Sequence, residues 1–190
     1  MARVWLADTG SPSSAIIGGT YAVPGLDFDP SGGILSIVNG SMIRIREIET
    51  RRIVGSLRSP TSLYSIDYHP EGDLLAAGDN EHHIYLWDPS QAFRSGSEDY
   101  PQPAILEGQS NLNSNKNVLI WRVLFSPDGT ALGSAAGDGT IQLWDVTEKK
   151  PLSIWTAHSN AVTCMTFSPD GGWLVSGSLD GTVKIWDLDL

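Results

Sequence analysis

His158, Ser176 and Asp180 are the three side-chain types of a nucleophilic triad, standing in one short stretch of the chain. A serine hydroxyl deprotonated by an imidazole that a carboxylate orients is the arrangement of acyl-transfer catalysis. The same groups can also pin a loop to a strand, and residue type alone does not separate the two uses. His82 and His83 invite a second reading, as metal ligands. Adjacent strand residues point to opposite faces, however, and no cysteine or third histidine is spaced to join them. The pair reads as part of a hairpin turn, so no metal and no other cofactor is expected. No glycine-rich loop follows a strand and opens a helix, which leaves nucleotide binding without support.

The elements that must position these groups are short strands. Alternating apolar segments recur throughout, each bounded by Gly, Pro, Asn or Asp, which is strand and hairpin chemistry. In the last stretch the strands read Leu152 to Trp155, Val162 to Phe167, Trp173 to Ser176 and Val183 to Trp186. A Pro-Asp-Gly turn at Pro169 to Gly171 and a hairpin at Asp180-Gly181 separate the later ones. Earlier stretches follow with drift: Val118 to Phe125, Ala131 to Ser134 and Thr140 to Trp144, and before them Leu63 to Tyr68, Leu74 to Ala77 and His83 to Trp87.

Composition bounds the rest. The 190 residues suffice for one domain, and 41% hydrophobic against 18% charged residues can bury a core. A net charge of −10 disfavours unspecific contact with nucleic acid or an anionic membrane, both of which need basic groups. Arg44, Arg46, Arg51 and Arg52 form the one basic cluster and read as a solvated strand edge. The single cysteine, Cys164, forbids an internal disulfide and reads as a small buried thiol. No membrane-length apolar run and no secretory signal stand in the sequence, so a cytoplasmic setting is expected.

Two markers repeat at fixed spacing. Trp-Asp closes IYLWD (Ile84 to Asp88), IQLWD (Ile141 to Asp145) and VKIWD (Val183 to Asp187), and about twenty residues before each stands YHPEG (Tyr68 to Gly72) or FSPDG (Phe125 to Gly129, Phe167 to Gly171). Trp144 and Trp186 are 42 residues apart, within the roughly 40–45-residue period of one propeller blade. The longer interval from Trp87 to Trp144 holds polar insertions at Pro89 to Pro103 and Gly108 to Asn117. These markers resemble the WD-repeat family of β-propellers, strongly from Ser59 to Leu190 and weakly before. The resemblance implies an all-β propeller of four-stranded antiparallel blades, about four of them plus an extra N-terminal strand. The chain is then one segment, 1–190, with repeats near 15–50, 51–90, 104–147 and 151–190, and with residues 1–14 as the tail of a preceding repeat. In the first repeat Arg46 and Glu47 stand where Trp-Asp belongs.

The family pins each blade with a hydrogen-bonded His, Ser/Thr, Asp and Trp. By that resemblance His158, Ser176, Asp180 and Trp186 form the full set, which favours pinning over catalysis. The third repeat keeps Ser134, Asp138 and Trp144, with Lys116 in the histidine place. The second keeps Trp87, with Glu81, Ala77 and Ser59 replacing Asp, Ser and His, so looser loops are expected on the first two blades. The family binds partners on one rim, the top. Carried over, its exposed positions are Tyr64, Trp121 and Thr163 at the bulge of each first strand. Ser62, Leu119 and Ala161 come two residues earlier, and Asn80, Gly137 and Leu179 precede the turn acid. Trp121 either meets a partner or packs under the 108–117 insertion.

The resulting expectation is a non-enzymatic scaffold for a protein or peptide partner. The alternatives are a purely architectural or self-assembling segment of a larger signalling or NTPase protein and, less favoured, an enzyme with a channel site. A strand near Ala15 to Gly19 could complete the blade ending at Trp186, leaving Arg3 to Leu6 unpartnered. Open edges of that kind recruit other chains, so self-association is a further expectation.

Overall fold

The computed structural model describes residues 2–5, 12–16, 23–92, 100–106 and 118–188. Strands β1 (Ala2–Trp5) and β2 (Pro12–Ile16) form a two-stranded antiparallel sheet. Blade 1 comprises β3 (Leu26–Phe28), β4 (Ile34–Asn39), β5 (Met42–Glu47) and β6 (Ile53–Arg58). Blade 2 comprises β7 (Leu63–Tyr68), β8 (Leu75–Asp79), β9 (Ile84–Trp87) and, after the single-turn helix α1 (Pro89–Ala92), β10 (Ala104–Leu106). Blade 3 comprises β11 (Ile120–Phe125), β12 (Ala131–Ala136), β13 (Thr140–Asp145) and β14 (Lys150–Thr156). Blade 4 has β15 (Val162–Phe167), β16 (Trp173–Ser178) and β17 (Val183–Asp187). Strand order follows chain order in every blade, so each is an antiparallel meander. The first strands touch one another in series, β3 to β7, β7 to β11 and β11 to β15, and so form the inner edge of the arc.

The run Leu152 to Trp155 lies in β14 and closes blade 3 by pairing with β13, so the sequence repeat that starts near residue 151 opens on the outer strand of the preceding blade. One sequence expectation changes here. Arg3 and Ala15, expected in separate places, pair with each other in the β1–β2 sheet. The two strands are near neighbours in the sequence, so pairing them costs much less closure entropy than pairing either with the other end of the chain. Residues 17–19 lie outside the described residues, and β17 has no outer neighbour among those described.

The register explains the markers. Trp87, Trp144 and Trp186 pair with Leu75, Leu132 and Leu174, and Arg46 pairs with Leu35 in the same place. Each first turn ends on a glycine in the left-handed region, with φ of 73° at Gly32, 78° at Gly72, 75° at Gly129 and 77° at Gly171. Side chains with a Cβ rarely adopt that conformation.

Side-chain alternation gives every blade two faces. Ile43 and Ile45 of blade 1 are buried in one cluster with Ile66 and Tyr68 of blade 2. Ile84 and Leu86 of blade 2 meet Val123 and Phe125 of blade 3, and Ile141 and Leu143 of blade 3 meet Met165 and Phe167 of blade 4. The core is therefore a series of equivalent layers between sheets. Near the inner edge, side-chain oxygens stitch these layers together: Tyr68 N–H donates to Asp27 Oδ2 at 2.8 Å, Val123 N–H to Ser65 Oγ at 3.0 Å and Phe125 N–H to Asp67 Oδ2 at 2.8 Å.

Candidate partner-binding rim

In blade 4 the loop before β15 is tied to the hairpin after β16. His158 Nε2 lies 2.8 Å from Ser176 Oγ, and its Nδ1 lies 3.0 Å from Asp180 Oδ2 and 3.1 Å from Thr182 Oγ1. The Trp186 indole N–H donates to the same serine oxygen at 2.9 Å. The Thr182 hydroxyl foremost, then the Thr182 amide, the His158 ring and the Ser159 amide, hold the Asp180 carboxyl well below the usual carboxylate range. Ser, His and Asp are thus linked in the order a triad requires. Ser176 is nevertheless buried and its oxygen already accepts the indole N–H, which leaves no approach for a substrate carbonyl. The arrangement pins the sheet.

Blade 3 keeps part of this set. Trp144 donates to Ser134 Oγ at 3.0 Å, and Asp138 Oδ1 accepts the Thr140 amide at 3.0 Å and its hydroxyl at 2.6 Å. Asp138 Oδ2 is buried with no hydrogen-bond partner among the described residues. Lys116 lies outside them.

Blade 2 departs from expectation. Ala77 offers no acceptor, and the buried Trp87 indole N–H has no hydrogen-bond partner among the described residues. Glu81 is exposed and does not act as the turn acid. Asp79 does, two residues earlier. Its carboxylate accepts the Glu81 and His83 amides at 2.8 Å each, the Thr61 hydroxyl at 2.6 Å and the Tyr85 hydroxyl at 3.1 Å, with His83 Nδ1 at 3.0 Å. Burial alone would raise this carboxyl, but the Thr61 hydroxyl and the two amides outweigh it and hold the group below its ordinary value. The turn expected to be loose is tied by a different acid. A polar side chain on the last residue of a strand, followed by Asn-Glu-His, was the available signal. His82 also falls in this turn, with φ of 72°, and its Nε2 accepts the Val118 amide at 2.9 Å.

One rim carries these second-to-third-strand turns and the bulges that open each first strand. The register slips between Leu63 and Ser65, between Ile120 and Arg122 and between Val162 and Cys164. Tyr64, Trp121 and Thr163 are the residues skipped. Trp121 is 40% exposed, while Tyr64 and Thr163 are half-buried. The Trp121 ring lies against Gly137, whose amide donates to the Leu119 carbonyl at 2.9 Å. The Leu179 amide donates equivalently to the Ala161 carbonyl at 3.0 Å. Leu179 and Ser62 are exposed, Asn80 and Leu119 half-buried. Ala161 is buried, against expectation. The 108–117 insertion lies outside the described residues. Cys164 also corrects a reading: it is exposed, because no sheet among the described residues covers that face of blade 4.

Away from the rim, His69, Glu71 and Asp73 are the one group among the described residues with spacing suited to a metal. His69 replaces the serine of the FSPDG turns. Its Nδ1 lies 2.7 Å from Asp73 Oδ1 and its Nε2 faces the Gly129 carbonyl at 3.2 Å, so both nitrogens have protein partners. A cleft of about 770 Å³ is lined by Arg58, Ser59, Pro60, Tyr100, Gln102, Pro103 and Ile105, with no carboxylate, histidine or cysteine among them.

A family model described as WD domain, G-beta repeat matches residues 51–88, 107–145 and 149–187, more than half of the chain. The chain belongs to the WD-repeat family. Among WD-repeat relatives, it is 30% identical over 155 residues to the Serine-threonine kinase receptor-associated protein of Gallus gallus, covering 80% of this chain and 39% of that protein. It is 30% identical over 163 residues to the WD repeat-containing protein VIP3 of Arabidopsis thaliana, covering 84% and 50%. It is 26% identical over 144 residues to the Ribosome biogenesis protein YTM1 of Candida albicans, covering 75% and 29%. The WD repeats here thus span half or less of each of these relatives.

Proposed function

We propose that this WD-repeat chain is a non-enzymatic scaffold whose rim holds a protein or peptide partner in a cytoplasmic setting. The observation that carries this reading is the recurrence of one bulge at one register position in three blades, bringing Tyr64, Trp121 and Thr163 to the same rim. Two of the three are large amphipathic rings, the residue type that most often supplies interface energy, about 2 kcal/mol or more at a hot spot. Hydrogen-bonded turns hold the rim in place before any partner arrives, which lowers the ordering cost of binding. The name of the Gallus gallus relative records association with a receptor, in keeping with a binding role. The net charge of −10 favours a protein partner over nucleic acid or an anionic membrane.

The test is the paired substitution Tyr64→Ala and Trp121→Ala. Affinity capture from an extract of the source organism should lose one discrete protein with the variants, while the melting temperature stays within a few degrees. Capture that is identical with wild type and both variants would remove the rim from the reading.

A further inference from the structure

The junction of blades 1 and 2 is filled by buried side chains at its centre and open on its outer side. Ile105 of β10 pairs with Tyr85, whose ring is buried in the cluster these two blades share, so Ile105 turns toward blade 1. It is nevertheless 47% exposed. Between it and blade 1 lies the cleft of about 770 Å³, within the roughly 300–1,000 Å³ of pockets that bury a ligand. One wall is Arg58, the last residue of β6, with Pro60 in the turn that follows. The other is Tyr100, Gln102 and Pro103, which lead into β10.

These walls are mostly apolar and stiff. Pro60, Pro101 and Pro103 have fixed φ, and the Gln102 amide donates to the Tyr100 carbonyl at 3.2 Å. Arg58 carries the one charge among the lining residues. It enters none of the ion pairs among the described residues. Its blade is locally basic: five arginines and two glutamates stand between Met42 and Arg58, in a chain whose net charge is −10.

We propose that this cleft binds an extended segment of a partner protein in which one glutamate or aspartate stands among apolar residues. The carboxylate takes the Arg58 guanidinium, whose planar fork meets it with two parallel hydrogen bonds. The flanking apolar side chains cover the Tyr100 ring, Pro60, Pro103 and Ile105, and the fixed backbone of the walls keeps the ordering cost low. One guanidinium suits one carboxylate, whereas phosphorylated segments are held by clusters of arginines. The surface is separate from the rim: the cleft lies beside the last strands of its blades, while Tyr64 and Trp121 stand on first strands.

The test is an array of short peptides, each with one glutamate among apolar residues, beside the same peptides with glutamine or phosphoserine in its place. The whole chain should prefer the glutamate members. In solution, the tightest of them, fluorescently labelled, should bind about tenfold or more weakly to Arg58→Gln. Binding to Arg58→Lys should fall between, since the charge remains without the fork. Ile105→Ser should weaken it too. The pair Tyr64→Ala and Trp121→Ala should leave it unchanged, so this result stands or falls apart from the rim. Both Arg58 and Ile105 are exposed, and unchanged melting of the variants confirms that they fold. No preference for glutamate, a preference for phosphoserine, equal binding by Arg58→Gln, or loss with the rim pair would each overturn the proposal.

Discussion

Three tryptophans at one register position make a controlled comparison of a single hydrogen bond. Trp144 and Trp186 donate to Ser134 and Ser176, whereas Trp87 meets Ala77 and leaves its N–H unpaired. A buried donor without a partner carries its full desolvation cost, about 1–3 kcal/mol. Ala77→Ser should therefore stabilise the chain by about 0.5–1.5 kcal/mol, read as a higher urea midpoint at unchanged slope. Ser176→Ala removes the acceptor of Trp186 and the partner of His158 together, and should cost about 2–4 kcal/mol. If the two substitutions shift the midpoint in the same direction, the indole bond is not what pins these sheets. The hydrogen-bond set around His158 was legible because its members stand at the family spacing. The Asp79 set was not, because it replaces the expected acid with one two residues away, and only the folded turn shows which carboxylate points inward.

At the level of strands and turns, local chemistry was the readable part. The Pro-Asp-Gly and Asp-Gly turns and the strands between them lie close to where alternation and turn residues put them. The pairing of β1 with β2 was not readable, because alternation reports a strand's faces and not its neighbours. The exposure of Cys164 was also missed, since strand pattern reports a face but not whether another sheet covers it. The second-to-third-strand hairpins show how a turn couples blades. Gly139 has φ of 89°, and a Cβ there would meet the His158 carbonyl at 2.3 Å, while Gly181 has φ of 82° with nothing within 4 Å. Gly181→Ala should cost about 1 kcal/mol for backbone strain alone. Gly139→Ala should cost about 2–4 kcal/mol, because the turn must also move off the loop entering blade 4. Chemical denaturation of the two variants side by side isolates that contact, and equal losses would mean the loop yields freely.

At the scale of the whole molecule, two of the three junctions between described blades carry an acid at the inner edge. Asp67 accepts the Phe125 amide across the junction of blades 2 and 3, with Arg122 3.9 Å away, and Asp27 does the same for Tyr68 one junction earlier. Burial foremost pushes the Asp67 carboxyl up to about 7; the Asp27 charge adds to the rise, and the Phe125 amide and Arg122 only partly offset it. A carboxyl whose folded value lies above its unfolded value of 3.8 binds its proton more tightly in the folded chain. Its contribution to stability is complete below the unfolded value and is lost as pH rises through about 7. Between pH 5 and 8 the chain should therefore lose about 1–3 kcal/mol through this group. Asp67→Asn keeps an oxygen for the Phe125 amide and removes the charge. It should match wild type near pH 5, exceed it at pH 8 and flatten the curve between. Arg122→Gln should move the other way, steepening the loss, because the guanidinium is the cation that favours the ionised form. Urea midpoints measured at pH 5, 6, 7 and 8 for the three proteins decide this. Parallel curves would show that Asp67 is ionised throughout and that its burial does not couple this junction to pH.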